Sequence, residues 1–360
     1  MTHDPIPLLE ALVAIDSTNP ALVAGGAGEA EIAAFAGQWL IDHGVEASVV
    51  ETAVAGRPNV VARVRGTGNG PTLMLNAHLD TVGVETMTHP FEPRIESGRL
   101  FGRGALDTKG GLTAAMAAMA ELHEQPPKGD VILTAVADEE HASIGTEAVT
   151  NLDAAAAIVY EPTDLALVIA HKGFVWLDVE VTGRAAHGSR PDLGVDAISN
   201  AARIITDLTA INENFAAAPR HPHLTPESLH ASLISGGQER SSYADRCTVG
   251  LEVRCHPNRS GAEIAEMVQK RIDKLASTDP ELEAQVSIVF ARSGYEGDPD
   301  SEIALSLRSA IQDRTSTEAA IRGHDGWMDS ALLAAAGIQS VVFGPQGQGL
   351  HAATEWVDLE

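Results

Sequence analysis

The run Val131–Ser143, VILTAVADEEHAS, begins as an unbroken apolar stretch and ends on two adjacent carboxylates, Glu139 and Glu140. Apolar residues that do not alternate with polar ones mark a strand buried on both faces, as in a parallel sheet covered by helices. Neighbouring glutamates repel each other, so a fold that sets them against a core must gain something from the pair. The runs Ala47–Glu51, Asn59–Arg63, Thr72–Asn76 and Ala157–Tyr160 read as strands of the same kind, and Ile6–Ile15, Glu29–His43 and Leu112–Glu124 read as helices. This order predicts an α/β domain: a mixed, mostly parallel sheet with helices on both faces.

The pattern changes in the middle. GFVWLDVEVTG, Gly173–Gly183, alternates apolar and polar, as in a strand with one exposed face. A helical run over 195–215 follows, then a Pro/His-rich loop, the strand-like Leu229–Gly237 and Asp245–Cys255, a helix near Ala262–Ala276 and a strand Ala284–Arg292. Strand, helix, two strands, helix, strand predicts a small α+β sandwich with a four-stranded antiparallel sheet. Helices near Ile303–Gln312 and Ser330–Ala336 and a buried strand Ser340–Gly344 then restore the first pattern. The expectation is one domain, 1–172 and 293–360, interrupted by another, 173–292, with linkers near His171–Gly173 and Ser293–Asp300.

A chain of 360 residues suits two domains. With 44% hydrophobic and 21% charged residues it reads as an ordinary globular protein. A formal net charge of -26 argues against nucleic acid or an anionic membrane as partner. No run approaches the roughly 20 apolar residues of a membrane span. The N-terminus lacks a basic region followed by a long apolar core, so no secretory signal is expected. The two cysteines, Cys247 and Cys255, share one strand-like stretch that would hold them roughly 26 Å apart. Unpaired thiols fit a reducing cytoplasm.

Five segments share one arrangement, an apolar run followed by a metal-ligand type, Asp107 being the looser case in a glycine-rich turn just before the helix near Leu112. They are PTLMLNAHLDTVG with His78 and Asp80, GRGALDTKGG with Asp107, the opening run with Glu139 and Glu140, AAIVYEPTD with Glu161, and SVVFGPQGQGLHA with His351. Side chains at the carboxyl ends of strands in an α/β sheet converge in one crevice. Asp107 bridging two divalent ions, with His78 and Glu161 on one and Glu140 and His351 on the other, would leave each ion an open position for water, as in catalytic zinc sites. Imidazole with carboxylate suits zinc, and cobalt or manganese fit the same donors. Such a centre lowers the pKa of a bridging water and polarises a carbonyl. Glu139 is then the general base, and the Asp80 carboxylate, two residues along the strand, accepts a hydrogen bond from the second nitrogen of His78.

Taken singly, these residues have bland readings. Glu139 and Glu140 also read as a solvated loop, Glu161 as a turn residue before Pro162, His351 as a surface histidine, and His187 as a turn histidine. Arg254 also reads as a partner for an acid across the sheet. The glycines of GRGALD imitate a dinucleotide fingerprint, but Asp107 would repel a pyrophosphate. The joint pattern is harder to produce by accident than any single member.

With NAHLDTV, GRGALDTKGG, DEEHASIGT, YEPTDL, AHKGFVWLDVEVTGRAAHGS and GPQGQGLHAATEWV in view, the chain resembles the zinc amidohydrolase and metallopeptidase family of acetylornithine deacetylase, succinyl-diaminopimelate desuccinylase and glutamate carboxypeptidase. The resemblance covers nearly the whole chain and implies a dinuclear zinc site in a catalytic domain with an inserted lid that dimerises. It implies His78, Asp107, Glu140, Glu161 and His351 as ligands, Glu139 as base, Asp80 beneath His78, His187 as an oxyanion partner reaching from a second subunit, and Arg254 as a holder of the substrate carboxylate. It also implies a cis peptide bond from Asp107 to Thr108. Relatives continue into a further helix past EWVDLE, where this chain ends at Glu360.

The activity expected is hydrolysis of the amide bond of an N-acyl amino acid or small peptide by a metal-bridging hydroxide. The alternatives are a metallo-aminopeptidase acting on free-amine peptides and a non-catalytic metal-binding homologue. The acyl group and the amino acid are not legible in the residues.

Overall fold

The computed structural model describes residues 4–84 and 86–359, so the chain's last residue, Glu360, lies outside them. The chain divides into two compact units. One takes the chain up to Ile169, Gly297–Arg322 and the chain from Met328 onward; the other takes Ala170–Glu296 and Gly323–Trp327.

The first unit is built on a mixed sheet of nine strands, counting short strands at its edge. From one side the order runs Glu46–Val50, Asn59–Val64, Val131–Val136, Leu73–His78, Ala156–Val159, Gln339–Val342, Leu167–His171. The strands Val131–Val136, Leu73–His78, Ala156–Val159 and Gln339–Val342 pair in parallel, and antiparallel strands flank them. All six residues of Val131–Val136 are buried, as its lack of alternation predicts. Successive side chains go to opposite layers: Leu75 and Ala77 pack with Leu12, Leu40, Leu112 and Met116 from helices Ile6–Val13, Ala30–Asp42 and Gly110–Glu124. Met74 packs instead with Leu333 from helix Ser330–Ala335.

Leu167–His171 is a fully buried strand where the sequence suggests the approach to a linker, and a single residue, Lys172, separates it from the next strand, Gly173–Thr182. A second small sheet, ordered Gly347–Gln348, Trp356–Asp358, Arg99–Phe101, Arg94–Glu96, escapes the sequence pattern because strands of two or three residues show no periodicity.

In the second unit the four-stranded antiparallel sheet runs Ser228–Gly236, Arg246–Cys255, Gly173–Thr182, Glu283–Arg292. Val175, Leu177, Val179 and Val181 line one face and meet Ile204 and Leu208 from helix Ala197–Thr209 and Ile264, Val268 and Ile272 from helix Gly261–Ala276. The latter helix starts with a reciprocal capping box between Ser260 and Glu263. The single helix expected over 195–215 is two, Ala197–Thr209 and Ile211–Ala217. Thr206 and Thr209 bond back to the carbonyls of Ala202 and Ile205 just before the break, a pattern that bends helices. Asp325 joins this unit through Lys172 Nζ at 3.1 Å and the Thr225 hydroxyl at 2.8 Å.

Candidate metal centre

Register brings the site together. His78 pairs with Val136, and Asn76 and Val342 both pair with Val159, so the parallel strands end level with one another. The residues just past those ends, Glu139, Glu140, Glu161 and His78 itself, therefore meet at one rim of the sheet. Potential ligand atoms of His78, Asp107 and Glu140 lie within 4.8 Å of one another, and so do those of His78, Glu139 and Glu161.

Asp107 lies between two imidazoles. Its Oδ1 is 3.1 Å from His78 Nε2 and its Oδ2 is 3.3 Å from His351 Nε2. Glu140 Oε2 is 3.1 Å from the same His351 nitrogen, and Glu161 Oε1 is 3.9 Å from His78 Nε2. His78 is buried, whereas the His351 side chain is 55% exposed, so the cluster opens on the His351 side.

Asp107 reaches this point on an irregular turn, Ala105–Lys109, with a cis peptide bond to Thr108. The Thr108 hydroxyl donates to the carbonyl of Tyr160, the residue before Glu161, at 2.9 Å. Gly104 opens the turn at φ +79°, where a Cβ would also meet Thr81 at 2.8 Å.

The role expected for the Asp80 carboxylate needs correction. His78 Nδ1 donates to the Asp80 backbone carbonyl at 2.8 Å, and the nearer carboxylate oxygen is 3.7 Å away. The strand ends at His78, so the two-residue alternation that would align these side chains no longer holds. The carboxylate turns to the acidic pair instead: Oδ1 accepts the Glu139 N–H at 3.0 Å and Oδ2 that of Glu140 at 3.2 Å. Oδ2 also accepts from Asn19 Nδ2 at 2.8 Å; Asn19 donates to Asp138, Arg57 donates to Asp138, and Glu29 pairs with Arg57. Asp80, Asn19, Asp138, Arg57 and Glu29 are all buried. Asn19, Glu29, Arg57 and Asp138 carry no metal-ligand spacing, and only the DEE triplet hints at Asp138.

Electrostatics mark a site built for positive charge. Burial, with the charge of Glu161 nearby, pushes the Glu139 carboxyl well above the usual range; burial does the same to Glu161. Glu140 is raised to about 7, by burial first and then by Asp107. Hydrogen bonds to Asp107 and Glu140 raise His351 to about 10. Burial disfavours charge on Asp107, but bonds from His351 and His78 overcome it and hold the carboxyl well below the usual range. Glu140 Oε1 is buried without a hydrogen-bond partner. Two imidazoles, several clustered carboxyls and this orphaned oxygen are a donor set that fits divalent cations.

His187 and Arg254 lie in the second unit, apart in sequence from the clustered side chains. His187 is exposed, with Nδ1 2.8 Å from the Ser189 hydroxyl. Arg254 pairs with Glu252 at 2.8 Å and stacks over Phe174 at 5.2 Å. That acid precedes it by two residues on the same strand and face, rather than standing across the sheet.

Fold and clustered donors together define a metallohydrolase, and a family model described as peptidase family M20/M25/M40 matches residues 74–360. The chain belongs to that family. It is 28% identical to an acetylornithine deacetylase of Myxococcus xanthus, covering 99% of this chain and 94% of the relative. It is 27% identical to the N-formyl-4-amino-5-aminomethyl-2-methylpyrimidine deformylase of Halalkalibacterium halodurans, covering 84% and 79%. Among solved structures, a metallo-carboxypeptidase of Sulfolobus solfataricus superposes with a TM-score of 0.81 at 19% identity, covering 99% of this chain and 95% of that one. A tripeptidase of Staphylococcus aureus gives 0.80 at 21% identity, covering 99% and 93%. These two likenesses bear on the fold.

Proposed function

We propose that the protein hydrolyses the amide bond of N-acyl amino acids or small peptides, in the manner of a deacetylase, desuccinylase or carboxypeptidase. The observation that carries this reading is Asp107 held between His78 and His351, with Glu139 and Glu140 anchored side by side on one turn beside it. His78 and Glu161 would hold one divalent cation, Glu140 and His351 a second, and Asp107 both; zinc suits these donors and cobalt fits them as well. When bound, the ions supply Lewis-acid polarisation of a carbonyl and a lowered water pKa.

The chain's own groups do the rest. A Glu139 carboxyl oxygen takes the proton of the attacking water and delivers it to the departing nitrogen. Asp80 holds the turn that carries Glu139 and Glu140 by accepting both backbone amides. His187, reaching in from a second copy of the chain, stabilises the developing oxyanion and Arg254 holds the substrate carboxylate, roles that rest on the family resemblance.

The inserted domain expected over 173–292, which falls within the second unit, acts as the lid and pairs two copies into a homodimer. Its edge strand Ser228–Gly236 supports this, because Leu233 is 72% and Ile234 58% exposed on an open sheet edge. Light scattering tests the dimer, and Leu233→Lys should yield monomer. Among the described residues no helix is long and apolar enough to cross a membrane. The two buried free thiols, Cys247 and Cys255, suit a cytoplasmic setting.

The deciding experiment assays N-acetyl, N-succinyl and N-formyl amino acids against unblocked dipeptides, with added zinc or cobalt and a chelator control. Hydrolysis of at least one blocked amino acid, lost on chelation, is expected. Cleavage of free-amine dipeptides alone would overturn the substrate class.

A further inference from the structure

We propose that Glu355, with Arg103, is a positioning clamp that sets Asp107 and His351 in register, an inference that rests on the metal-centre reading above. Glu355 is 1% exposed and Arg103 2%. One carboxylate accepts four hydrogen bonds from the segment leading to Asp107. Oε2 takes Arg103 Nη1 at 2.7 Å and the Gly104 N–H at 3.1 Å, and Oε1 takes the N–H groups of Leu106 at 2.9 Å and of Asp107 itself at 3.1 Å. Arg103 closes the loop in the other direction, donating from Nη2 to the carbonyl of Ala352, the neighbour of His351, at 3.0 Å.

The backbone reinforces the same junction. Gly102 N–H donates to the Glu355 carbonyl at 3.2 Å, and the small sheet pairs Trp356 with Phe101 and Val357 with Leu100. Gly349, at φ +96°, folds the segment so tightly that a Cβ there would lie 1.8 Å from the Thr354 carbonyl oxygen. His351 needs such anchoring. Its imidazole is 55% exposed and its φ is +55°, so packing alone does not fix it, yet its Nε2 must meet Asp107 Oδ2 at 3.3 Å.

A buried ion pair can serve folding alone, and the two roles predict different measurements. Glutamine at 355 keeps the shape but turns an NH2 group toward two N–H donors, so the turn before Asp107 loses half its anchors. The test uses full-length wild type, Glu355→Gln, Arg103→Lys and Arg63→Gln. The last breaks the Arg63–Asp130 pair at the opposite end of the strands and controls for lost stability. Cobalt(II) is titrated against a competing chelator, and its visible absorption is recorded well below each variant's Tm.

Glu355→Gln should bind cobalt about 10-fold or more weakly, with an altered spectrum. Arg103→Lys should shift both readouts the same way by less, and carries the test if Glu355→Gln does not fold. Arg63→Gln should match wild type in affinity and spectrum. A folded Glu355→Gln, or in its place Arg103→Lys, with affinity within two-fold of wild type and the same spectrum would overturn the clamp and leave the metal centre standing. Wild type that takes up no cobalt would sink both.

Discussion

The Asp80 carboxylate accepts the backbone N–H of Glu139 at 3.0 Å. Its other oxygen serves the N–H of Glu140 and the side chain of Asn19, so both oxygens are engaged. In Asp80→Asn one oxygen becomes an NH2 group facing N–H donors, and the acidic turn should loosen. The expected loss in kcat/KM is about 10–100-fold. Because His78 is oriented by the Asp80 main chain, the cation it would hold should stay at the wild-type level, whereas the one Glu140 would hold should bind more weakly. Undiminished kcat/KM would count against Asp80 as the organiser of the turn.

Glu139 lies within ligand reach of His78 and Glu161, so geometry allows it to be a ligand as well as a base. Glu139→Ala should keep both ions and lose turnover by about 10²–10⁴-fold. Metal analysis alongside kcat separates the roles, since a variant that binds one ion fewer would make Glu139 a ligand.

Chelation should abolish activity, and zinc or cobalt should restore it. Removing the ions also removes a ligand that binds only the folded state and leaves Glu139, Glu140 and Glu161 crowded together, so Tm should fall in the chelated protein. Differential scanning calorimetry with and without chelator measures this; equal Tm values would argue against a bound metal.

Arg57 is the buried cation between Glu29 and Asp138. Arg57→Ala leaves two buried carboxylates without it and should destabilise the fold by about 3–5 kcal/mol. Urea unfolding gives the number, and a change below about 1 kcal/mol would show that the acids find other partners.

Asp325 has an acid-dependent role in the second unit. Burial alone would raise its pKa, but hydrogen bonds from Thr225 and Lys172 outweigh burial and hold it below its ordinary 3.8. A lowered folded pKa gives stability that is present above the unfolded value and lost as pH falls through the folded one. The half-exposed carboxylate keeps this contribution small. The acid unfolding curve of Asp325→Asn should therefore be shallower below 3.8 than that of wild type. Superimposable curves would remove Asp325 from the acid response.

Long periodic elements were legible in the residues because burial on one face or two leaves a trace in local order. Val131–Val136, Leu73–His78 and the alternating Gly173–Thr182 are all of this kind. So were the chemical types of the candidate ligands, since an acid or histidine at the end of a buried run stands out. Less legible were features made by contacts between distant segments. Neither the two-residue strand Gly347–Gln348 nor Glu355, 248 residues from the Asp107 N–H it accepts, carries any local periodic signal.

Local order along the chain was enough to mark which side chains could serve a metal and which buried strands lead up to most of them, through patterns that span a few residues. What those side chains do to one another was set by the way the chain folds. The direction of the Asp80 carboxylate, the seat of Asp107 between two imidazoles and the burial that raises Glu139 all depend on strand register and turn geometry. Hydrogen bonds act over about 3 Å and desolvation acts within a packed shell, so both are set by which segments meet in space rather than by their order along the chain.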